Sequence, residues 1–296
     1  MQNPGTPTCG PQKPGAVVST SWLAEHLNDP DLRIVDATWA MPSSGADPKA
    51  AFVERHISGA VFFDIDAIAR PNTDPLPHML PSAEDFAAKV GALGIGSEDF
   101  VVCYDTHGLM TAARAWWMFR VFGHDRVAVL DGGLPKWVAD GHPVVAGQPT
   151  PAFKTFTPAF RPDLVRSKED IRANIDTRRE QVVDARAAGR FDGSVAESWP
   201  GRRAGHIPGS RNLPFTDLLD PASKVVLPAE RLRNLAAGAG LSLDRPVVAS
   251  CGSGVTACVV ALGLYQAGKT DVAVYDGSWA EWGLPGDTPV ATGPAD

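Results

Sequence analysis

Short apolar, β-branched runs recur along the chain, each bounded by polar or glycine-containing stretches. In the first half they predict buried strands over 33–35, 61–63, 101–104 and 127–130. In the second half they predict strands over 182–184, 211–213, 247–250 and 272–275. Helix-like stretches lie between them and carry start signals. Ser82 precedes Ala83-Glu84-Asp85 and Ser167 precedes Lys168-Glu169-Asp170, so each serine is placed to cap a helix with acids in its first turn. Strands alternating with helices predict the α/β class, with parallel sheets flanked by helices.

The pattern occurs twice. Ile34-Val35-Asp36-Ala37 returns as Val182-Val183-Asp184-Ala185 at an offset of 148, and Arg55-His56-Ile57-Ser58-Gly59-Ala60 returns as Gly205-His206-Ile207-Pro208-Gly209-Ser210 at 150. Asp131-Gly132 with Trp137 returns as Asp276-Gly277 with Trp282 at 145. Three matches in one order make the chain a tandem duplication of one domain rather than a solenoid. The expected division is a loose tail over 1–15, a first domain over 16–145, a proline-rich linker over 146–166 and a second domain over 167–296. His56 and His206 hold equivalent places in both copies, so a turn-stabilising role is expected for each. The eight tryptophans are expected mostly in the core.

Composition narrows the function. With 27 basic and 34 acidic residues the chain has no cationic surplus for a nucleic-acid backbone. No apolar run is long enough to span a membrane, and the first residues lack the marks of a secretory signal, so a cytoplasmic protein is expected. The four cysteines, at 9, 103, 251 and 258, show no CxxC spacing, and no metal or organic cofactor is expected.

The candidate chemistry lies in Ser250-Cys251-Gly252-Ser253-Gly254-Val255-Thr256-Ala257, between a strand and a helix. Two glycines allow a tight curl whose backbone N–H groups face inward, and the helix that follows adds the positive end of its dipole. An anion is favoured there, so Cys251 is expected to react as a thiolate. The first copy has Asp105 at the same place, which predicts that this domain is catalytically inert. Cys103 falls inside a strand and reads as core. Cys258 reads as packing, with a Cys251–Cys258 regulatory disulfide as the rarer alternative. A phosphatase or arsenate reductase of the Cys-x5-Arg type is disfavoured, because Ala257 stands where the arginine is needed.

The tandem pattern, the Cys251 loop and the His-Ile-Pro-Gly segment resemble the two-domain rhodanese family of sulfurtransferases over about residues 16–292. Within it, Cys251-Gly252-Ser253-Gly254-Val255-Thr256 resembles the loop of enzymes acting on 3-mercaptopyruvate, whereas thiosulfate-preferring members carry basic residues after the cysteine. The resemblance implies that sulfur moves from 3-mercaptopyruvate through a Cys251 persulfide to a thiol acceptor such as thioredoxin, or to cyanide, releasing pyruvate. Thiosulfate:cyanide sulfur transfer is the alternative. It further implies that Arg190 grips the substrate carboxylate, aided by Arg202 or Arg203, while the loop residues Gly252, Gly254, Val255 and Thr256 line the bound group. Arg186 is expected to be structural. Finally, it implies a proton relay of Asp64, His78 and Ser253 that reaches the site from the first domain. A sulfur carrier without catalysis is the remaining alternative, and the intact cysteine loop speaks against it.

Overall fold

The computed structural model describes residues 15–295. Almost all of the expected tail over 1–15, with Cys9, therefore lies outside the described residues. In the first half the strands are β1 (Val17–Val18), β2 (Leu32–Asp36), β3 (His56–Ile57), β4 (Ala60–Phe62), β5 (Phe100–Tyr104), β6 (Val127–Leu130) and β7 (Val144–Val145). The second half adds β8 (Val165–Arg166), β9 (Gln181–Asp184), β10 (Arg211–Asn212), β11 (Val247–Ser250) and β12 (Ala273–Tyr275).

Two five-stranded parallel sheets result. The first is ordered β1-β6-β5-β2-β4 and the second β8-β12-β11-β9-β10, which is the same topology position for position. Helices flank both sheets, so the α/β duplication holds down to the edge strands. Each expected strand falls within one residue of an observed one. The two edge strands β1 and β8 are new, because two residues are too few to show alternation. β8 lies inside the stretch read as linker and pairs with β12 as β1 pairs with β6.

Local signals behave as their chemistry requires. Ser82 Oγ accepts from Asp85 N at 3.1 Å, and Ser167 forms a reciprocal capping box with Asp170. His56 Nδ1 bonds Phe52 O at 2.8 Å and stacks on the Phe52 ring. His206 Nδ1 bonds Phe191 O at 2.8 Å and stacks on Phe191. Both histidines are buried turn fasteners, in the first copy as in the second. The repeated aspartates are likewise structural: Asp36 holds Thr38 at the end of β2, and Asp184 holds Arg186 at the end of β9. Burial pushes the Asp36 carboxyl above its usual range despite the Thr38 hydrogen bonds.

The helices that follow β5 and β11, Ala112–Val121 and Ala257–Gln266, pack against each other and join the two halves in one hydrophobic cluster. All ten residues of Ala112–Val121 are buried. Arg120 lies with its guanidinium 4.8 Å from the Trp116 ring and 4.7 Å from the Tyr265 ring, and donates to Thr270 O. The inter-domain boundary is thus buried like a core, with Arg114 and Arg120 set into it, and it fixes the loops at the starts of both helices relative to one another. Among the described residues no helix is long and apolar enough to cross a membrane.

Candidate active site

In both copies the loop after the central strand sits at the carboxyl edge of a parallel sheet, where open α/β sheets bind ligands. The two loops differ in how their backbone amides are used. In the first copy the Asp105 carboxylate fills the curl: Oδ1 accepts His107 N, and Oδ2 accepts the N–H groups of Met110, Thr111 and Ala112, all at 2.8 Å. Counting back from the helices, these last three correspond to Val255, Thr256 and Ala257. In the second copy those three amides, with those of Gly252, Ser253 and Gly254, have no oxygen partner among the described residues. The second loop is the same cradle without its built-in anion.

Cys251 stands at the mouth of this cradle, 1% exposed. Its backbone is pinned from the next loop: Cys251 N donates to Ser278 Oγ at 3.1 Å, Trp279 N to Cys251 O at 2.9 Å and Ala280 N to Gly252 O at 2.7 Å. Gly254 has φ +76°, and a Cβ there would lie 2.6 Å from Asp276 O, so both conformation and space demand glycine. The other thiols differ. Cys103 is wholly buried in β5, and burial pushes its thiol well up. Cys258 is also wholly buried; burial pushes its thiol up, and its S–H points to Gly254 O at 3.2 Å. Cys103, Cys251 and Cys258 are all free.

The arginines separate cleanly. Arg190 Nη2 lies 3.1 Å from the position a Cβ on Gly252 would take, which places this guanidinium against the residue after Cys251. It is held by Glu197, whose Oε2 accepts Arg190 Nη2 at 2.5 Å while its Oε1 accepts Arg186 Nη1 at 2.5 Å. Arg186 is buried and spent on Asp184, Glu197 and Gly205 O, with Trp279 beneath it, and is structural as expected. Arg202 donates to the carbonyls of Ala280, Pro200 and Pro75; Arg203 donates to those of Thr288 and Trp282 and to the Thr288 hydroxyl. Both are occupied by the fold, so neither is presented to Cys251 as the second carboxylate grip. A run of residues with two adjacent arginines gives no sign of which carbonyls will claim them.

From the first domain, His78 arrives on a strained segment (φ +59°) and is 3% exposed. Its peptide is fastened by Arg114, which donates to His78 O, and by Leu80 N, which donates to Asp276 Oδ2 at 2.7 Å. The carboxylate that faces its ring is not Asp64. Asp64 caps the short helix Ile65–Ile68, accepting from Asp66 N and Ala67 N at 3.1 Å. Asp66 Oδ1 lies 2.8 Å from His78 Nδ1, and its Oδ2 accepts Trp39 Nε1 at 2.8 Å. Partial burial pushes the Asp66 carboxyl up, but the His78 hydrogen bond and charge and the Trp39 hydrogen bond outweigh it, and the group ionises below its usual range. Trp39 meets His78 edge-on at 4.7 Å, and Trp199 lies 6.0 Å from His78 and 6.4 Å from Trp39. His78 Nε2 is buried without a partner and makes no hydrogen bond to Ser253, which is 7% exposed.

Sequence reasoning missed Asp66, Glu197, Trp39 and Trp199. Glu197 left one trace, as the only charged residue in 193–201. The assignment of the two aspartates has a direct check. Asp66→Ala should lower turnover by about 100-fold, the scale of an acid–base contribution, by freeing the His78 ring. Asp64→Ala should cost about 1 kcal/mol of stability through the lost cap, with turnover per folded molecule almost unchanged. Thermal unfolding and steady-state rates on the two variants decide; equal losses of rate would refute the distinction.

The family model for the rhodanese-like domain matches this chain twice, over residues 19–140 and 167–284. Human 3-mercaptopyruvate sulfurtransferase is 48% identical over 278 residues, covering 92% of this chain and 93% of that protein. Thiosulfate/3-mercaptopyruvate sulfurtransferase 2 of Arabidopsis thaliana is 47% identical over 295 residues, covering 93% of this chain and 86% of that protein. The crystal structure of SseA, a 3-mercaptopyruvate sulfotransferase from Escherichia coli, superposes with a TM-score of 0.82 at 39% identity, covering 90% of this chain and all of that one. With two matched domains and relatives of this similarity along nearly its whole length, the chain belongs to the rhodanese family of sulfurtransferases.

Proposed function

We propose that the protein transfers sulfur from 3-mercaptopyruvate through a persulfide on Cys251. The observation that carries this reading is the Arg190 guanidinium beside the Cys251 loop, with Arg202 and Arg203 both committed to carbonyls. One cation at the mouth suits one carboxylate. A thiosulfate dianion would call for more positive charge than the described residues present there. The names of the human and Escherichia coli relatives support the same donor, while that of the Arabidopsis relative carries both donors.

In the proposed reaction the Cys251 thiolate attacks the sulfur of 3-mercaptopyruvate. The new S–S bond forms as the C–S bond breaks, and the electron pair passes to carbon as the enolate of pyruvate. The thiol proton leaves by way of Ser253 and His78, whose charge Asp66 balances, and a proton returns to the carbon to complete pyruvate. The persulfide anion then takes the place that the Asp105 carboxylate holds in the first copy, facing the unpaired amides. An acceptor thiol, of thioredoxin or a small molecule, attacks the outer sulfur and restores the Cys251 thiolate; cyanide would leave as thiocyanate. The cytoplasm, where thiols are kept reduced, is the proposed compartment.

The test is a steady-state comparison of 3-mercaptopyruvate and thiosulfate with one fixed acceptor. The expected kcat/KM ratio favours 3-mercaptopyruvate by about 100-fold, the scale of one missing charge-assisted contact. A ratio favouring thiosulfate would overturn the donor and turn the reading to thiosulfate:cyanide sulfur transfer.

A further inference from the structure

We propose that Arg114, a residue of the copy without the cysteine, is a positioning residue that holds the amide cradle of the Cys251 loop open for the transferred sulfur. The inference rests on the Cys251 persulfide reading and adds to it what keeps the cradle in shape.

Arg114 is the third residue of Ala112–Val121 and is wholly buried. Its side chain leaves its own domain. Nη1 donates to Gly254 O at 3.1 Å, while Nη2 donates to Asp276 Oδ1 at 2.7 Å and to His78 O at 2.5 Å. One guanidinium thus ties the cysteine loop, the loop after β12 and the segment that carries His78. Its flat face lies 4.5 Å from the Trp117 ring, which fixes the plane of the fork.

The bond to Gly254 O matters because a trans peptide points its C=O and the following N–H in opposite directions. Drawing Gly254 O toward Arg114 turns Val255 N–H the other way, toward the inside of the curl. The first copy shows where that N–H belongs, since its counterpart Met110 N donates to the Asp105 carboxylate. There the loop is organised from within, by a carboxylate with four N–H partners. The Cys251 loop has no internal anion to gather its amides, and the clamp comes from outside. The duplication supports this division of labour. The position equivalent to Arg114 in the second copy is Val259, so the arginine is not a requirement of the fold. It stands only where it can reach the working loop.

Arg114→Lys keeps a positive charge beside Asp276, but a single ammonium cannot span Gly254 O, Asp276 and His78 O together. The expected result is a retained cooperative melt with kcat for persulfide formation on the order of 100-fold lower per native molecule, because misplacing a stabilising group by about 1 Å has that effect. KM for the donor should stay within about threefold, since Arg190 is untouched. A double variant, Arg114→Gln with Asp276→Asn, removes both buried charges together, strands neither, and should show the same kcat loss; it decides the matter if the lysine variant does not fold. Unchanged kcat per native molecule, or a loss carried by KM, would overturn the inference. Wild-type protein is followed in parallel by intact mass. If it forms no persulfide, the reading beneath falls and the inference with it; if it does, a wild-type-like variant sinks the inference alone.

Discussion

Cys251→Ser should remove sulfur transfer altogether, lowering the rate by at least about 10⁴-fold while leaving the fold intact. The substitution is nearly isosteric at a position 1% exposed, and its backbone anchors, Ser278 and Trp279, do not depend on sulfur. What disappears is the only described thiol at the mouth of an amide cradle. An alcohol in the same place stays protonated near neutral pH and cannot hold the outer sulfur as a persulfide. Intact mass after exposure to 3-mercaptopyruvate should show a gain of about 32 Da in the wild type and none in the variant. Peptide mapping makes the test sharp. Cys258 lies only seven residues on, yet its S–H is committed to Gly254 O and burial holds it protonated, as burial does for Cys103. Sulfur found on either of these in the variant would refute the assignment of Cys251.

Why the cysteine could be read from sequence, and its helpers could not, follows from how local each signal is. The Cys251 loop is a contiguous strand, a curl with two glycines and a helix, and the Asp105 copy beside it supplies the contrast. The strand order also follows from the duplication, because a second copy with the same spacing must repeat the topology. Long-range pairing leaves no such trace. Arg114 meets Gly254 and Asp276 across 140 and 162 residues, and nothing near it in the chain marks it as more than a polar interruption in a buried helix. The relay aspartate failed for a finer reason. Asp64 and Asp66 stand two apart in Phe63-Asp64-Ile65-Asp66, and either could cap or face the histidine. Backbone geometry decides: the residue before the helix turns its carboxylate onto the first amides, and the one inside the first turn is left free to reach His78. Trp199 likewise reads as core by type, yet it lies by His78 and Trp39 at the domain boundary.

Arg190→Met should reduce kcat/KM for 3-mercaptopyruvate by about 10³-fold, nearly all of it in KM. Glu197 decides how clean this deletion is. Its carboxylate is 2% exposed, and a buried carboxylate stripped of its only cation would destabilise the fold by several kcal/mol. Here Oε1 remains paired with Arg186, but Arg186 also serves the buried Asp184, so loss of Arg190 leaves two buried carboxylates on one guanidinium. The melting temperature should therefore fall, and rates compared per folded molecule assign the remaining loss to the open face of the guanidinium. With Arg202 and Arg203 held by carbonyls of Ala280, Pro75, Thr288 and Trp282, neither can swing in to replace it. Arg190→Lys should recover little, since one ammonium cannot fork between Glu197 and a substrate carboxylate. Saturation curves for wild type and both variants, run to donor concentrations well above the wild-type KM, give the separation. If KM is unchanged and kcat alone falls, Arg190 acts on the transition state rather than on the bound carboxylate; if neither changes, the carboxylate is held elsewhere.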